Sequence, residues 1–206
     1  MEPERGRGLL SPAPLYFPMP RFSPAALVLL LVLASGCAAA QPRFAPGPER
    51  PDIDLPDLER RVLSELNRAR QTHGRAPLQP DTALAALARA HSADMRDRVF
   101  FAHRNPDGLR AGDRARRAGY AFRSFGENLF RGHLYETINE LRRGDLFETA
   151  YLWYAPDDLA RTVVQSWLES PGHRDNMLSR AFDFGGVGVA AGPEHEVFVT
   201  LNLSAR

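Results

Sequence analysis

The segment WLESPGHRDNML, residues 167–178, carries a helix to its end and starts another. Trp167 closes a helical pattern that runs back through Val163 and Leu159, with Leu168 beside it, so these residues face inward. Ser170 can cap a new helix, and Pro171 fits its first position, where a missing N–H costs nothing. His173 then lies in the first turn of that helix. The positive helix end disfavours imidazolium and favours the neutral ring, the form that binds a metal or accepts a proton. Arg174 points elsewhere, free to pair with a carboxylate, and Asp175 is favourably placed near the same helix end.

Working outward, PDLERRVLSELNRARQTHG sets Leu58, Val62, Leu66 and Ala69 at helical spacing, with Pro56 and Asp57 opening the helix and Gly74 closing it. A second helix, in PDTALAALARAHSADMRDRVF, puts Leu84, Leu87, Ala88, His91 and Met95 on one face. His91 therefore reads as a core or helix-packing histidine in preference to a ligand. His73, at a helix end, favours the terminal carbonyls and needs no catalytic explanation. In FFAHRNPDG, Asn105-Pro106-Asp107-Gly108 is a turn signal, and it holds His103 just after two aromatics expected to anchor in the core. LRAGDRARRAGY predicts a short helix leading to SFGENLF, where Gly126 precedes Glu127.

Residues 131–158 admit more than one reading. LYETINELRRG fits a helix, whereas Phe147, Tyr151, Trp153 and Tyr154 form either a patch over the core or a cleft wall. The ending is β: FGGVGVAA, the turn GPEH, then EVFVTLNLS, in which Val197, Val199, Leu201 and Leu203 alternate as in a half-buried antiparallel strand. His195 belongs to the turn and is expected to face solvent. Helices followed by a hairpin predict a helix-covered antiparallel sheet.

The chain of 206 residues has room for one ordinary domain plus an N-terminal extension. Its formal charge is +1, all 26 basic residues are Arg, and no basic block interleaved with aromatics points to nucleic acid. AALVLLLVLA, residues 25–34, fits the apolar core of a signal peptide and is short for a membrane span. Met19 gives that leader an ordinary length and is the expected true start. LASGC places the one cysteine, Cys37, where it resembles the lipobox of bacterial lipoproteins, whose thiol is acylated after cleavage. Ordinary signal-peptidase cleavage in the Ala38–Ala40 run is the alternative. The expected organisation is a signal peptide over 1–37, a Pro-rich tether over 38–56 and a folded domain over 57–204. Without residues 1–36 the chain has 23 basic and 23 acidic residues, so no long-range electrostatic attraction to a partner is implied. A lone Cys also means that the core alone holds the exported domain.

LNRAR, LAALARAHSADM, FFAHRNPDG, FGENLF, WLESPGHRDNML and GGVGVA, in that order across residues 58–203, resemble the CAP superfamily (SCP; cysteine-rich secretory, antigen 5 and pathogenesis-related proteins), and its bacterial single-domain branch in particular. The resemblance implies an α+β fold, a three-layer α-β-α sandwich with an antiparallel central sheet. It also implies a cleft lined by two His and two Glu that holds a divalent metal in some members. His103, Glu127 and His173 match three of these, and Glu169 is the weaker match to the fourth. The 28 residues from Arg131 to Asp158 exceed the family's usual connection and alter the expected cleft rim.

Two histidines and a carboxylate are adequate for Zn or another divalent metal with water in an open position, and equally for a hydrogen-bonded cleft without metal. Glu127 is the candidate general base, provided it reaches that water. No Ser-His-Asp arrangement is assignable: Ser170 serves better as a cap, and Ser92 and Ser124 lack an activating partner. Three functions follow. The first is an exported, lipid-anchored envelope domain binding a lipid, another small apolar molecule or a partner protein. The second is a metal-dependent hydrolase such as a peptidase. The third is a structural domain whose His/Glu cluster ties helices to the sheet.

Overall fold

A computed structural model describes residues 46–47, 50–143 and 146–206, with backbone alone over 46–47, 137–143 and 146–149. Met19, Cys37, the apolar leader and most of the Pro-rich stretch lie outside the described residues. The first helix, α1 (Leu55–Thr72), is capped by Asp54, whose carboxylate accepts the Asp57 N–H at 3.0 Å. The cap therefore stands ahead of the Pro56-Asp57 pair expected to open the helix. His73 caps the other end, its ring Nδ1 2.8 Å from the Ala69 carbonyl, and Gly74 turns the chain at φ +65°. Helix α2 (Thr82–Asp97) starts at Asp81, which accepts from the N–H groups of Ala83 and Leu84. Three shorter helices complete the set: α3 (Ala111–Arg117), α4 (Pro156–Glu169) and α5 (Pro171–Met177).

The strands are β1 (Pro46–Gly47), β2 (Gln79–Pro80), β3 (Ser124–His133), β4 (Tyr135–Arg143), β5 (Leu146–Trp153), β6 (Phe184–Ala191) and β7 (Glu196–Ala205). The central sheet has the order β2-β6-β7-β3, antiparallel except for the short parallel β2. Its first face packs on α1, α4 and α5, where Leu58, Val62, Leu66, Val163 and Trp167 meet Val187, Val199, Leu201 and Leu203 in one core. Its second face carries α2. Helices thus flank a largely antiparallel sheet on both sides, as expected for a three-layer α-β-α sandwich.

The second face explains GGVGVA. A Cβ placed on Gly188 would lie 2.0 Å from the Arg89 nitrogen, and one on Gly186 would lie 2.3 Å from that of Ala85. The backbone of α2 occupies the space of the missing side chains. The Ser92 hydroxyl lies within hydrogen-bond distance of the Gly188 carbonyl and the Thr200 hydroxyl, both at 2.9 Å. Strand β7 is therefore not half-buried: Thr200, Asn202 and Ser204, which alternate with its aliphatic residues, are enclosed beneath α2 and its flank.

SFGENLF forms the first half of β3. Three further expectations are corrected. LYETINELRRG is not a helix: β4 and β5 pair antiparallel as an arm, with β1 on its outer edge. Of the two aromatics before His103, Phe100 packs beside Met95, whereas Phe101 is 45% exposed. His195 does not face solvent freely. Its ring lies edge-on to Tyr135, Tyr151 and Trp153 at the arm's base, with φ +63°. The arm leaves and rejoins the domain at one point, where the Tyr154 N–H donates to the Leu134 carbonyl at 3.0 Å. Among the described residues no helix is long and apolar enough to cross a membrane.

The glycine contact gives a sharp expectation. Gly188→Ala must push α2 off the sheet and should cost about 3 kcal/mol or more, at the upper end of overpacking effects. Gly172→Ala, with open space around it in α5, should be neutral or stabilise by up to about 1 kcal/mol. Urea unfolding midpoints of the two variants check both; equal midpoints would contradict the contact.

Candidate functional site

Strand β3 is the edge of the central sheet, and there the two helical layers come within reach of each other. Glu127 and Asn128 are neighbours on it, so their side chains leave on opposite faces. Glu127 faces the α2 and α3 side and is only 6% exposed. Asn128 faces α5 and is fully buried.

His103 reaches the site from the loop after α2. His91 holds that loop: its Nε2 donates to the Ala102 carbonyl at 3.0 Å. With that proton on Nε2, the neutral ring's Nδ1 is an acceptor, and it is buried without a partner among the described residues. The turn after His103 closes as expected, through Gly108 N–H to Asn105 carbonyl at 2.9 Å. His103 Nδ1 then donates to Glu127 Oε1 at 2.9 Å.

His173 comes from the other layer. The Asn128 amide donates to the His173 carbonyl at 2.8 Å, and the Asn176 amide donates to the Glu127 carbonyl and Asn128 Oδ1 at 3.2 and 3.0 Å. These bonds fix α5 to β3 and bring the rings of His103 and His173 to 6.3 Å between centroids. Ser170 holds the N-cap position of α5 without a side-chain capping bond; its carbonyl accepts the Arg174 N–H at 2.8 Å. Arg174 donates weakly to the Leu168 carbonyl and, among the described residues, does not find a carboxylate.

Arg114 is the residue that sequence reading missed. Its Nη2 donates to Glu127 Oε2 at 2.5 Å, and its Nη1 donates to the carbonyls of His103 and Leu109 at 2.9 and 3.1 Å. Both oxygens of Glu127 are thus engaged, one by an imidazole and one by a guanidinium. The enclosed carboxylate has its compensating charge inside the protein. Nothing in LRAGDRARRAGY distinguishes Arg114 from its neighbouring arginines except its place one turn into α3.

Of the four residues expected at a metal, His103, Glu127 and His173 come near one another and Glu169 stands apart. Among the described residues no group of three or more His, Cys, Asp and Glu side chains is arranged to hold a metal ion. Glu169 lies on the surface of α4, accepting from Gln165 at 2.9 Å, and lines a different hollow with Glu65 and Arg161. The guanidinium of Arg114 already pairs with the Glu127 carboxylate. Ser92 and Ser124 are spent on structural bonds, the latter to the Ala181 carbonyl at 3.0 Å.

Beside the cluster opens a cleft of about 820 Å³, lined by His103, Glu127, Asn176, Phe122, Phe125 and several arginines. Among the described residues, no side chain of the aromatic arm lines it, and Tyr151, Trp153 and Tyr154 belong to or pack on the main core instead. Burial lowers the pKa of His91, and burial together with the neighbouring His103 lowers that of His173. Both shifts favour the neutral ring.

The cysteine-rich secretory protein (CAP) family model matches residues 63–203. The uncharacterized protein YkwD of Bacillus subtilis (strain 168) is 32% identical over 130 residues, covering 63% of this chain and 41% of that protein. The chain thus spans well under half the length of that relative. An extracellular protein containing a SCP domain from Bacillus anthracis superposes with a TM-score of 0.57 at 27% identity, covering 77% of this chain and 45% of that one. An outer surface protein from Borrelia burgdorferi gives a TM-score of 0.58 at 16% identity over 81% of this chain and 99% of its own, a likeness of fold.

The neutral histidines set a pH dependence. With folded pKa values below the unfolded value of about 6.5, the unfolded chain binds more protons on acidification, so stability is complete above that pH and falls below it. Urea midpoints should drop between about pH 7.5 and about pH 5.5, a window that brackets the unfolded value, and His91→Gln should shrink the drop. An unchanged drop in that variant would remove His91 from the account. Glu127→Gln should cost on the order of 3 kcal/mol, because it strands the Arg114 charge.

Proposed function

The chain belongs to the cysteine-rich secretory protein (CAP) family, and on that footing we propose that it is an exported, non-catalytic binding domain whose His/Glu cluster is structural and whose cleft takes the ligand. One observation carries this reading: both oxygens of Glu127 are committed, to His103 and Arg114. A carboxylate bonded in this way is poorly placed to take a proton from water. It is well placed to lock the loop, α3 and β3 together at the foot of an open cleft, and clefts of this size are where proteins hold small molecules.

Export and anchoring belong to the same proposal. The apolar run over residues 25–34 and the lipobox-like LASGC support a leader cleaved before Cys37 and a lipid on its thiol. The Bacillus anthracis relative, described as extracellular, supports the same side of the membrane. In this reading the Pro-rich stretch sets the domain at a distance from the bilayer, and the cleft meets envelope components.

The approach of the His103 and His173 rings to 6.3 Å is the one geometric feature that favours a metal-dependent hydrolase instead. Metal analysis of the purified full chain separates the two. The binding reading expects sub-stoichiometric Zn, unaltered in His103→Ala and His173→Ala. Stoichiometric Zn lost in both variants would transfer the site to the metal reading. Lipid and small-molecule extraction of the chain recovered from its own envelope should yield an enriched ligand. Labelling with a radioactive fatty acid should mark the chain, and Cys37→Ser should abolish the label; persistent label would place the anchor elsewhere.

A further inference from the structure

Resting on the cleft-binding reading, we infer that the cleft is selective for a phosphorylated amphiphile: a phosphate group attached to an apolar portion. Arg104, Arg110, Arg116 and Arg123 all line the cleft, against Glu127 as the one carboxylate in its lining among the described residues. Glu127 is already neutralised by Arg114 at 2.5 Å. The cleft therefore carries a concentrated positive charge in a chain whose formal total is only +1.

These guanidinium groups are little used by the fold. Among the described residues Arg104, Arg110 and Arg123 make no ion pair with a carboxylate, and Arg116 meets Asp113 only at 3.4 Å on the surface. Arg104 donates to the Gly108 carbonyl at 2.8 Å, which steadies the turn beside His103 and leaves other N–H groups available. Like charges gathered without partners repel one another, and a bound anion relieves that repulsion while accepting several charge-assisted hydrogen bonds. Salt bridges elsewhere show the contrast: Arg60, Arg61, Arg68, Arg89, Arg98 and Arg131 each have a carboxylate oxygen at 2.9 Å or closer.

The second requirement, an apolar portion, comes from Phe122 and Phe125. Their ring centroids lie 4.9 Å apart and both line the same cleft, and the Arg116 guanidinium sits 4.9 Å from the Phe122 centroid. Charge and aromatic surface are thus adjacent. A free inorganic anion meets only the arginines, and a neutral apolar molecule meets only the rings. A ligand with both, such as an anionic lipid headgroup with its first methylenes or a phosphorylated small amphiphile, meets both.

The test uses the full chain and three probes: hexyl phosphate, hexanol and inorganic phosphate, titrated by calorimetry or by amide chemical shifts. Hexyl phosphate should bind at least about tenfold more tightly than either fragment, with affinity falling as salt rises. The double variant Arg110→Gln/Arg123→Gln removes two guanidinium groups that make no ion pair, and should weaken hexyl phosphate about tenfold while leaving hexanol unchanged. Competition then distinguishes the source: phosphatidylglycerol vesicles displacing hexyl phosphate where phosphatidylcholine vesicles do not would point to a headgroup, and displacement by inorganic phosphate alone to a soluble ester. Equal binding of hexanol and hexyl phosphate, or hexyl phosphate binding unaltered in the double variant, would overturn the anion preference while leaving a binding cleft. If no probe binds and the envelope-recovered chain carries no ligand, the cleft-binding reading itself fails.

Discussion

The contact between α2 and β6 is the constraint on which the rest of the molecule hangs. Two glycines let a helix backbone lie against a strand with no side chain between them. That proximity brings Ser92 into bonding range of Gly188 and Thr200, and it sets His91 where it grips the Ala102 carbonyl. His103 is the next residue. The position of the first histidine of the site is thus inherited, through one helix and one imidazole, from the absence of two Cβ atoms on the sheet. The start of the same helix is tied down by Asp81, whose second oxygen takes the Tyr120 hydroxyl and the Arg206 guanidinium.

The opposite wall depends on amides. Asn128 and Asn176 use side-chain bonds to backbone carbonyls, so the placement of α5 is insensitive to the charge state of anything nearby. Between the two walls, Arg114 supplies from within the positive charge that a buried carboxylate requires. A site with a resident guanidinium is electrically complete before any ligand arrives. Outside that unit, in the lining of the cleft, lie further arginines: Arg104, Arg110, Arg116 and Arg123.

The helices α1, α2 and α4 and the closing hairpin were legible because their apolar spacing reports one buried stripe each, α5 through its Ser170-Pro171 start, and α3 as a short helix ahead of β3. It misled where both faces of an element are buried. In β7 the residues between the aliphatic ones are Thr, Asn and Ser, which look like a solvent face but are enclosed by α2. In β3 the polar pair Glu127-Asn128 breaks any alternation, since each residue is enclosed and satisfied by a distant partner. The arm was ambiguous for a related reason: LYETINELRRG has helix-forming composition, and only its pairing with the following aromatic strand makes it β. His103, Glu127 and His173 were found by resemblance. Arg114 was not, because its role is defined by a carboxylate thirteen residues away in sequence and on another element.

The arm's ends meet where the Tyr154 N–H donates to the Leu134 carbonyl, and its outer edge is paired with Pro46–Gly47. A segment whose ends already touch can be lengthened, trimmed or exchanged without opening a gap in the domain, because the closure entropy of its loop grows only slowly with length. Such a joint is a natural splice point for divergence between related chains, and among the described residues the cleft takes no lining side chain from the arm. The pairing with β1 adds a condition. Any lineage that rebuilds the arm's outer strand also changes what the segment around residue 46 can adhere to, so the two stretches are bound to evolve together.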